Sequence, residues 1–292
     1  MERTKFRKPD AILCSDIHLR EDTPVCWTGD FQEEQWKTMT WLWALQQEMK
    51  CPVIHPGDLF DFWKPSPWLL SMAIKHLPEE FYTIYGQHDL PQHSWELREK
   101  SGIYTLEQAG KLTVLTGYHY GQEPNKNYST NFEFGENGKI CVWHHMTYIT
   151  PPFPGATGGN AMSILKKYPQ FDLIVTGDNH QSFYVEHEGR LLVNPGSLTR
   201  QTAAQIDFKP SVYLWYAETS AVKQIFLPIE EGVISREHIE VVEQRDARID
   251  AFIAQINGDW DVSLSFEQNL EEFRNKNNIE KAVMDIIYKA IA

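Results

Sequence analysis

The chain has 292 residues, 42% of them hydrophobic and 23% charged, with a formal net charge of -13. This length suits one large core with an appendage or two modest domains, and the composition excludes a disordered chain. No apolar run approaches the roughly 18 to 20 residues of a membrane span, and the opening Met-Glu-Arg-Thr-Lys lacks a signal peptide's apolar segment, so a cytoplasmic protein without membrane association is expected.

In chain order, residues 11–14 read as a buried strand, 31–50 as a helix carrying Trp36, Met39, Trp43 and Leu45, and 52–55 as a second strand. Residues 67–77 read as a helix with Pro67 in its first turn, and 81–85 as a third strand. This alternation predicts an α/β core. From residue 131 hairpin signals take over. Residues 131–134 and 139–144 flank Gly135-Glu136-Asn137-Gly138, and 183–186 and 190–193 flank His187-Glu188-Gly189. Strands are also predicted over 172–176, 212–216 and 222–227. The expected fold is a mixed β-sandwich flanked by helices. Beyond a boundary between 228 and 242, Ile249, Phe252, Ile253 and Ile256, and later Ile279, Val283, Ile286, Ile287 and Ala290, recur at helical spacing. The expected division is therefore a domain over residues 1–235 and a helical segment over 236–292.

Five polar clusters each follow or end a predicted strand: Ser15-Asp16-Ile17-His18, Pro56-Gly57-Asp58, Gly86-Gln87-His88-Asp89, Val142-Trp143-His144-His145 and Thr176-Gly177-Asp178-Asn179-His180. Ligands of open α/β sheets gather outside the carboxyl ends of the strands, so these side chains are expected to meet in one place. Converging carboxylates at Asp16, Asp58, Asp89 and Asp178 need a counter-charge or protons, and divalent cations are the simplest source. A mixed Asp/His set suits manganese, iron or zinc better than calcium. One bridging carboxylate between two ions about 3.5 to 4 Å apart is the usual arrangement for phosphate chemistry. Singly, each cluster is ordinary turn chemistry; the signal is their number and order. The four cysteines, Cys14, Cys26, Cys51 and Cys141, include no CxxC pair and are expected as free thiols.

The ordered set Asp-x-His, Gly-Asp, Gly-x-His-Asp, His and Gly-x-x-His resembles the calcineurin-like metallophosphoesterases. Gly57-Asp58-Leu59-Phe60-Asp61 followed by Lys64-Pro65-Ser66-Pro67, and the run Val193-Asn194-Pro195-Gly196-Ser197-Leu198-Thr199-Arg200, are similar to the SbcD-type DNA exonuclease subunits of the double-strand-break repair complex. The likeness covers about residues 10 to 230. It implies a two-metal DNA exo- and endonuclease, with manganese the expected ion. By position, Asp16, His18, Asp58 and His180 hold one ion with Asp58 bridging, and Gln87, His144 and Asp178 complete the second site. His144 is matched rather than His145 because it comes first after the strand. His88 is the implied general acid and Asp89 the residue that orients it. Water then attacks phosphorus in line while the cations neutralise the non-bridging oxygens.

Two positions depart from the family pattern. Gln87 stands where Asn is usual, and Asp178 where His is usual. The longer amide moves its oxygen outward, and the extra carboxylate hardens the second site towards manganese or magnesium. The tryptophans Trp36, Trp41, Trp43, Trp63 and Trp68 read as core packing or as the face through which, in the resembled family, two nuclease subunits pair into a homodimer. The C-terminal helices read as packing against the sandwich or as the segment that docks on an SbcC-type coiled-coil ATPase, with the apolar face over 279–291 as the docking helix. DNA is the implied substrate. The acidic net charge favours a small phosphodiester or phosphomonoester instead, and Gln87 with Asp178 gives a foothold to a non-catalytic scaffold such as the retromer subunit of the same superfamily. Retention of His88 and Asp89 weighs against the scaffold.

Overall fold

The computed structural model describes residues 8–116, 118–125, 132–134, 138–152, 155–259 and 266–291. The chain divides into two compact units, Met1–Ser235 and Arg236–Ala292.

The first unit contains strands β1 (Ala11–Leu13), β2 (Val53–His55), β3 (Phe81–Thr83), β4 (Thr113–Val114), β5 (Phe132–Phe134), β6 (Gly138–Trp143), β7 (Thr147–Tyr148), β8 (Gly159–Asn160), β9 (Leu173–Thr176), β10 (Phe183–His187), β11 (Arg190–Asn194), β12 (Ser211–Tyr216) and β13 (Ala221–Phe226). Its helices are α1 (Phe31–Met49), α2 (Pro67–His76), α3 (Gly102–Gln108) and α4 (Ala161–Lys167). Six strands form one sheet in the order β13-β12-β1-β2-β3-β4, and five form another in the order β10-β11-β9-β6-β5. Neighbours are parallel from β1 to β4 and across β6-β9-β11, and antiparallel at the margins. The mixed sandwich flanked by helices is therefore the fold of this unit.

Strand periodicity builds its layers. Alternate residues Ala11, Leu13 and Ile54 of the first sheet, and Ile140, Val142, Leu173, Val175, Leu191 and Val193 of the second, share one buried cluster. Ile12, Cys14 and Val53 face the other way, into a cluster with Met39 and Leu42 of α1, Ala73 of α2 and Leu106 of α3. Cys141, Trp143, Ile174 and Leu192 do the same against Ile164 and Leu165 of α4. Each fully buried aliphatic side chain contributes about 1.5 to 3 kcal/mol.

Local chemistry fixes the helix ends. Asp30 accepts a hydrogen bond from the Glu33 N–H at 2.9 Å to start α1, and Lys50, at φ 51°, closes it in the left-handed region. Ser66 caps α2 with Pro67 in the first turn. Ser101 caps α3 and Asn160 caps α4; these two seven-residue helices carry too little periodicity to be read from the sequence. The second expected hairpin turns through Glu188 (φ 53°) and Gly189 (φ 72°), the two positive φ values of a type I′ turn. The first joins β5 to β6, and residues 135–137 at its tip lie outside the described residues.

The second unit consists of α5 (Glu237–Asp259), α6 (Phe266–Asn277) and α7 (Lys281–Ile291). Leu270, Phe273 and Met284 are buried, whereas Ile249, Val283 and Ile286 are exposed. Phe252, Ile253, Ile256 and Ala290 lie outside the residues whose side chains are described. Among the described residues no helix is long and apolar enough to cross a membrane. All four cysteines are free and buried.

Candidate metal centre

The five polar clusters meet where the carboxyl ends of β1, β2, β3, β6 and β9 come together. The backbone makes this possible by turning sharply just after the strands. Asp16, His18, Asp58 and Asp178 all have positive φ (47°, 49°, 59° and 75°), a region that residues with side chains seldom occupy. Four such residues in one site form a local concentration of backbone strain of the kind found at functional centres. Gly57 (φ 101°) has no alternative at its position, because an added Cβ would sit 2.6 Å from His144 Nδ1.

Three overlapping groups of ligand atoms lie close together: Asp16, His18 and His180; His18, Asp58 and His88; and Asp16, Asp58 and His144. Asp16, Asp58 and His144 are almost fully buried, while the His180 side chain is 39% exposed and opens the cluster to solvent. His18 Nε2 lies 3.3 Å from His180 Nε2, 3.8 Å from Asp58 Oδ2 and 3.9 Å from Asp16 Oδ1. Asp58 Oδ1 accepts the His88 N–H at 2.9 Å, but Oδ2, 3.4 Å from His144 Nε2, takes no well-directed hydrogen bond. A buried carboxylate oxygen without a donor is costly, and a cation relieves that cost. The donor set therefore fits metal ions, with Asp58 in the central position.

Gln87, His144 and Asp178 are tied to one another. Gln87 Oε1 lies 2.6 Å from His144 Nε2, and Gln87 Nε2 donates to Asp178 Oδ1 at 2.6 Å. His144 Nδ1 donates to the Pro56 carbonyl at 2.6 Å, which fixes the ring and reserves Nε2 for the site. The structure brings His144 into the cluster, while His145 stacks on Trp143 with ring centroids 4.0 Å apart. Asp178 donates its N–H to Asp16 Oδ1 at 3.0 Å, which links the loops after the two sheets.

Burial and neighbouring charge shift the protonation of these groups. Burial pushes the Asp16 carboxyl up to about 6, against the pull of His180 and His144. Burial also holds His18 neutral, down to about 3. For the pair Asp58 and His144, burial disfavours both charges, yet their attraction wins: Asp58 stays below the ordinary carboxylate range and His144 rises to about 10. The doubly protonated ring matches its two acceptors, the Pro56 carbonyl and Gln87 Oε1.

Asp89, expected to orient His88, makes its hydrogen bonds to backbone amides. Its carboxylate accepts the backbone N–H groups of Asp58 (2.7 Å), Leu59 (3.3 Å), Gly86 (3.0 Å) and Phe60 (3.1 Å), stapling the loops after β2 and β3. The His88 ring is held elsewhere, by the Asp61 carbonyl 2.7 Å from Nδ1. A carboxylate just after a sharp turn is within reach of neighbouring amides and satisfies them first. Sequence reading also missed a buttress behind the first loop. Ser197 Oγ donates to the Asp16 carbonyl (3.2 Å), Thr199 Oγ1 to that of Ile17 (2.9 Å) and Gln201 Nε2 to that of His18 (2.8 Å). Ser197 and Thr199 lie in the run from Asn194 to Arg200, which was the available signal.

A sequence profile for the calcineurin-like phosphoesterase superfamily domain matches residues 10–215, most of the chain. The chain belongs to this superfamily. A search of curated proteins finds no significant match. Among solved structures, the chain is similar to a novel archaeal phosphodiesterase (15% identity, TM-score 0.43, covering 74% of this chain and 99% of that one). It is also similar to a metallophosphoesterase from Sphaerobacter thermophilus (14%, 0.37, 75% and 89%). A third is Vacuolar Protein Sorting 29 from Cryptosporidium parvum (17%, 0.35, 76% and 97%). These distant likenesses add nothing to the family assignment. The superfamily is generally hydrolytic and uses divalent metals, and this phosphoesterase domain carries candidate ligand clusters for them.

Proposed function

We propose that the chain is a two-metal phosphodiesterase acting on DNA as a nuclease. The observation that carries the hydrolytic reading is the buried Asp58 Oδ2, without a well-directed hydrogen bond and set among Asp16, His18 and His144. In this reading Asp16, His18, Asp58 and His180 hold one cation, and Asp58, Gln87, His144 and Asp178 the other; manganese suits the mixed imidazole and carboxylate set. When bound, the cations supply Lewis acidity that neutralises the non-bridging phosphate oxygens.

The protein's own groups do the rest. His88 donates its Nδ1 proton to the Asp61 carbonyl, so the proton to be transferred sits on Nε2. Burial works against the charged His88 ring, but Asp58 and the Asp61 carbonyl outweigh it and raise its pKa above the ordinary histidine value. His88 Nε2 then protonates the departing sugar oxygen. Asp89 keeps the two flanking loops in register.

The DNA assignment rests on the SbcD-like segments around Asp61 to Pro67 and Asn194 to Arg200. It carries with it an SbcC-type ATPase partner, for which the exposed apolar residues Ile249, Val283 and Ile286 offer a surface, and a homodimer, for which Trp43 and Trp68 (43% and 48% exposed) offer another. Trp36 of the same aromatic group is core. A second reading, a small phosphodiester substrate, is favoured by the net charge of -13. Cleavage of single- and double-stranded DNA is compared with that of a small chromogenic phosphodiester, with manganese, with magnesium and with chelator. The nuclease reading expects metal-dependent loss of DNA. Cleavage of the small ester alone selects the second reading.

A further inference from the structure

We propose that His93 and Tyr120 form a ring-binding wall beside the second ligand position, which takes the planar ring of a substrate group attached to the scissile phosphate, a nucleobase being the class that fits. The proposal rests on the phosphodiesterase reading and narrows its substrate.

Two rings continue the site outwards from His144. The Tyr120 ring lies 6.3 Å from the His144 ring, and the His93 ring lies 5.9 Å from that of Tyr120. Both outer residues are exposed, Tyr120 by 39%. An exposed tyrosine or histidine alone is ordinary surface. What sets this pair apart is the structure invested in placing it. Gln92 and His93 both adopt left-handed backbone, at φ 53° and 56°, which costs each of them conformational energy. His93 Nδ1 is held 3.0 Å from the Gln87 carbonyl, the same residue whose side chain joins His144 to Asp178. The Tyr120 N–H donates to the Tyr85 carbonyl at 3.0 Å. Next to it, His119 accepts the Tyr85 N–H at 3.1 Å and stacks on Trp95 at 4.1 Å. The His93 ring and the Tyr120 backbone are thus tied to the segment from Tyr85 to Gln87, while neither residue belongs to the ligand set described above.

An exposed pair of rings next to a phosphate-cleaving centre offers π-surface, and stacking on such rings discriminates bases from aliphatic groups without reading their identity. The expected contribution is roughly tenfold in apparent affinity.

The test uses the full chain with manganese and three substrates: a dinucleoside monophosphate and its two analogues lacking one base or the other. The wild type is expected to prefer the intact dinucleotide over one analogue by roughly tenfold in kcat/KM, expressed in KM. That preference should collapse in Tyr120→Ala and in His93→Ala and persist in Tyr120→Phe. A wild type indifferent to the missing base, or a preference that survives Tyr120→Ala, overturns the wall while leaving the phosphodiesterase reading intact. If nothing is hydrolysed, binding of adenosine monophosphate is compared with that of ribose 5-phosphate. A Tyr120-dependent preference for the former keeps the wall and removes the catalytic reading. No such preference removes both.

Discussion

The two halves of the centre solve the same problem differently. On the side of Asp16, His18 and His180, the ligand atoms face one another at 3.3 to 3.9 Å with few mutual hydrogen bonds, and the backbone is braced from behind by Ser197, Thr199 and Gln201. On the side of Gln87, His144 and Asp178, the side chains close on one another through two contacts of 2.6 Å. The first half follows the pattern that the resemblance implies, and the second carries Gln87 and Asp178, the two departures from it. The two halves therefore keep comparable places in the fold with different local bonding: the first is braced through its backbone, and the second is bonded side chain to side chain.

Asp58, the carboxylate proposed to serve both halves, gives the strongest test of the distinction between them. Asp58→Ala is expected to lower turnover by more than about 10³-fold, since metal stabilisation of phosphate charge is worth several kcal/mol, and to reduce metal content measured by elemental analysis. Full metal content in that variant would show that the halves do not share Asp58. A smaller loss is expected for His88→Ala, about 10²-fold to 10³-fold in kcat, with metal content unchanged and the deficit shrinking for an ester with a good leaving group. A deficit independent of the leaving group would remove the acid role of His88.

The contrast also shows how far the sequence reaches. The sandwich was legible because short continuous apolar runs such as 140–143 and 173–176 mark strands buried on both faces, and the convergence of Asp16, Asp58, His144 and Asp178 was legible because each cluster adjoins a strand end. The role of Asp89 was not, because whether a carboxylate turns to its neighbour's ring or to four backbone amides depends on loop geometry that spacing does not encode. The bond from Gln87 to Asp178 was hidden for a related reason. Each substitution read alone looks like damage to a ligand set, and only their proximity shows that they satisfy one another. The helices α3 and α4 were missed because seven residues span barely two turns, too few for a periodic signal.

The halves should separate again under titration. In the metal-free protein His144 holds its proton up to about pH 10, so a cation bound at Nε2 displaces it across the neutral range. Between pH 6 and 8 the apparent affinity of that ion should rise roughly tenfold per pH unit, with one proton released. Below about pH 6, where Asp16 becomes protonated, the ion assigned to Asp16, His18 and His180 should weaken in turn. Calorimetry in two buffers of different ionisation enthalpy counts the protons. An affinity flat in pH would mean that His144 binds no ion.

The smallest expected effect concerns the departures themselves. Gln87→Asn shortens the amide by one methylene and gives up its reach to Asp178, and Asp178→His removes the carboxylate that Gln87 now donates to. Each single substitution leaves a polar group of the pair unsatisfied, so each should weaken the second ion by up to about tenfold. The double variant restores the usual family pair, and its affinity should exceed the product of the two single effects, because contacting residues do not add. Calorimetric titration of the second manganese in all four proteins measures this coupling. Strict additivity would mean that Gln87 and Asp178 act independently, and the second half of the centre would then be a weakened copy of the family site with no compensation built into it.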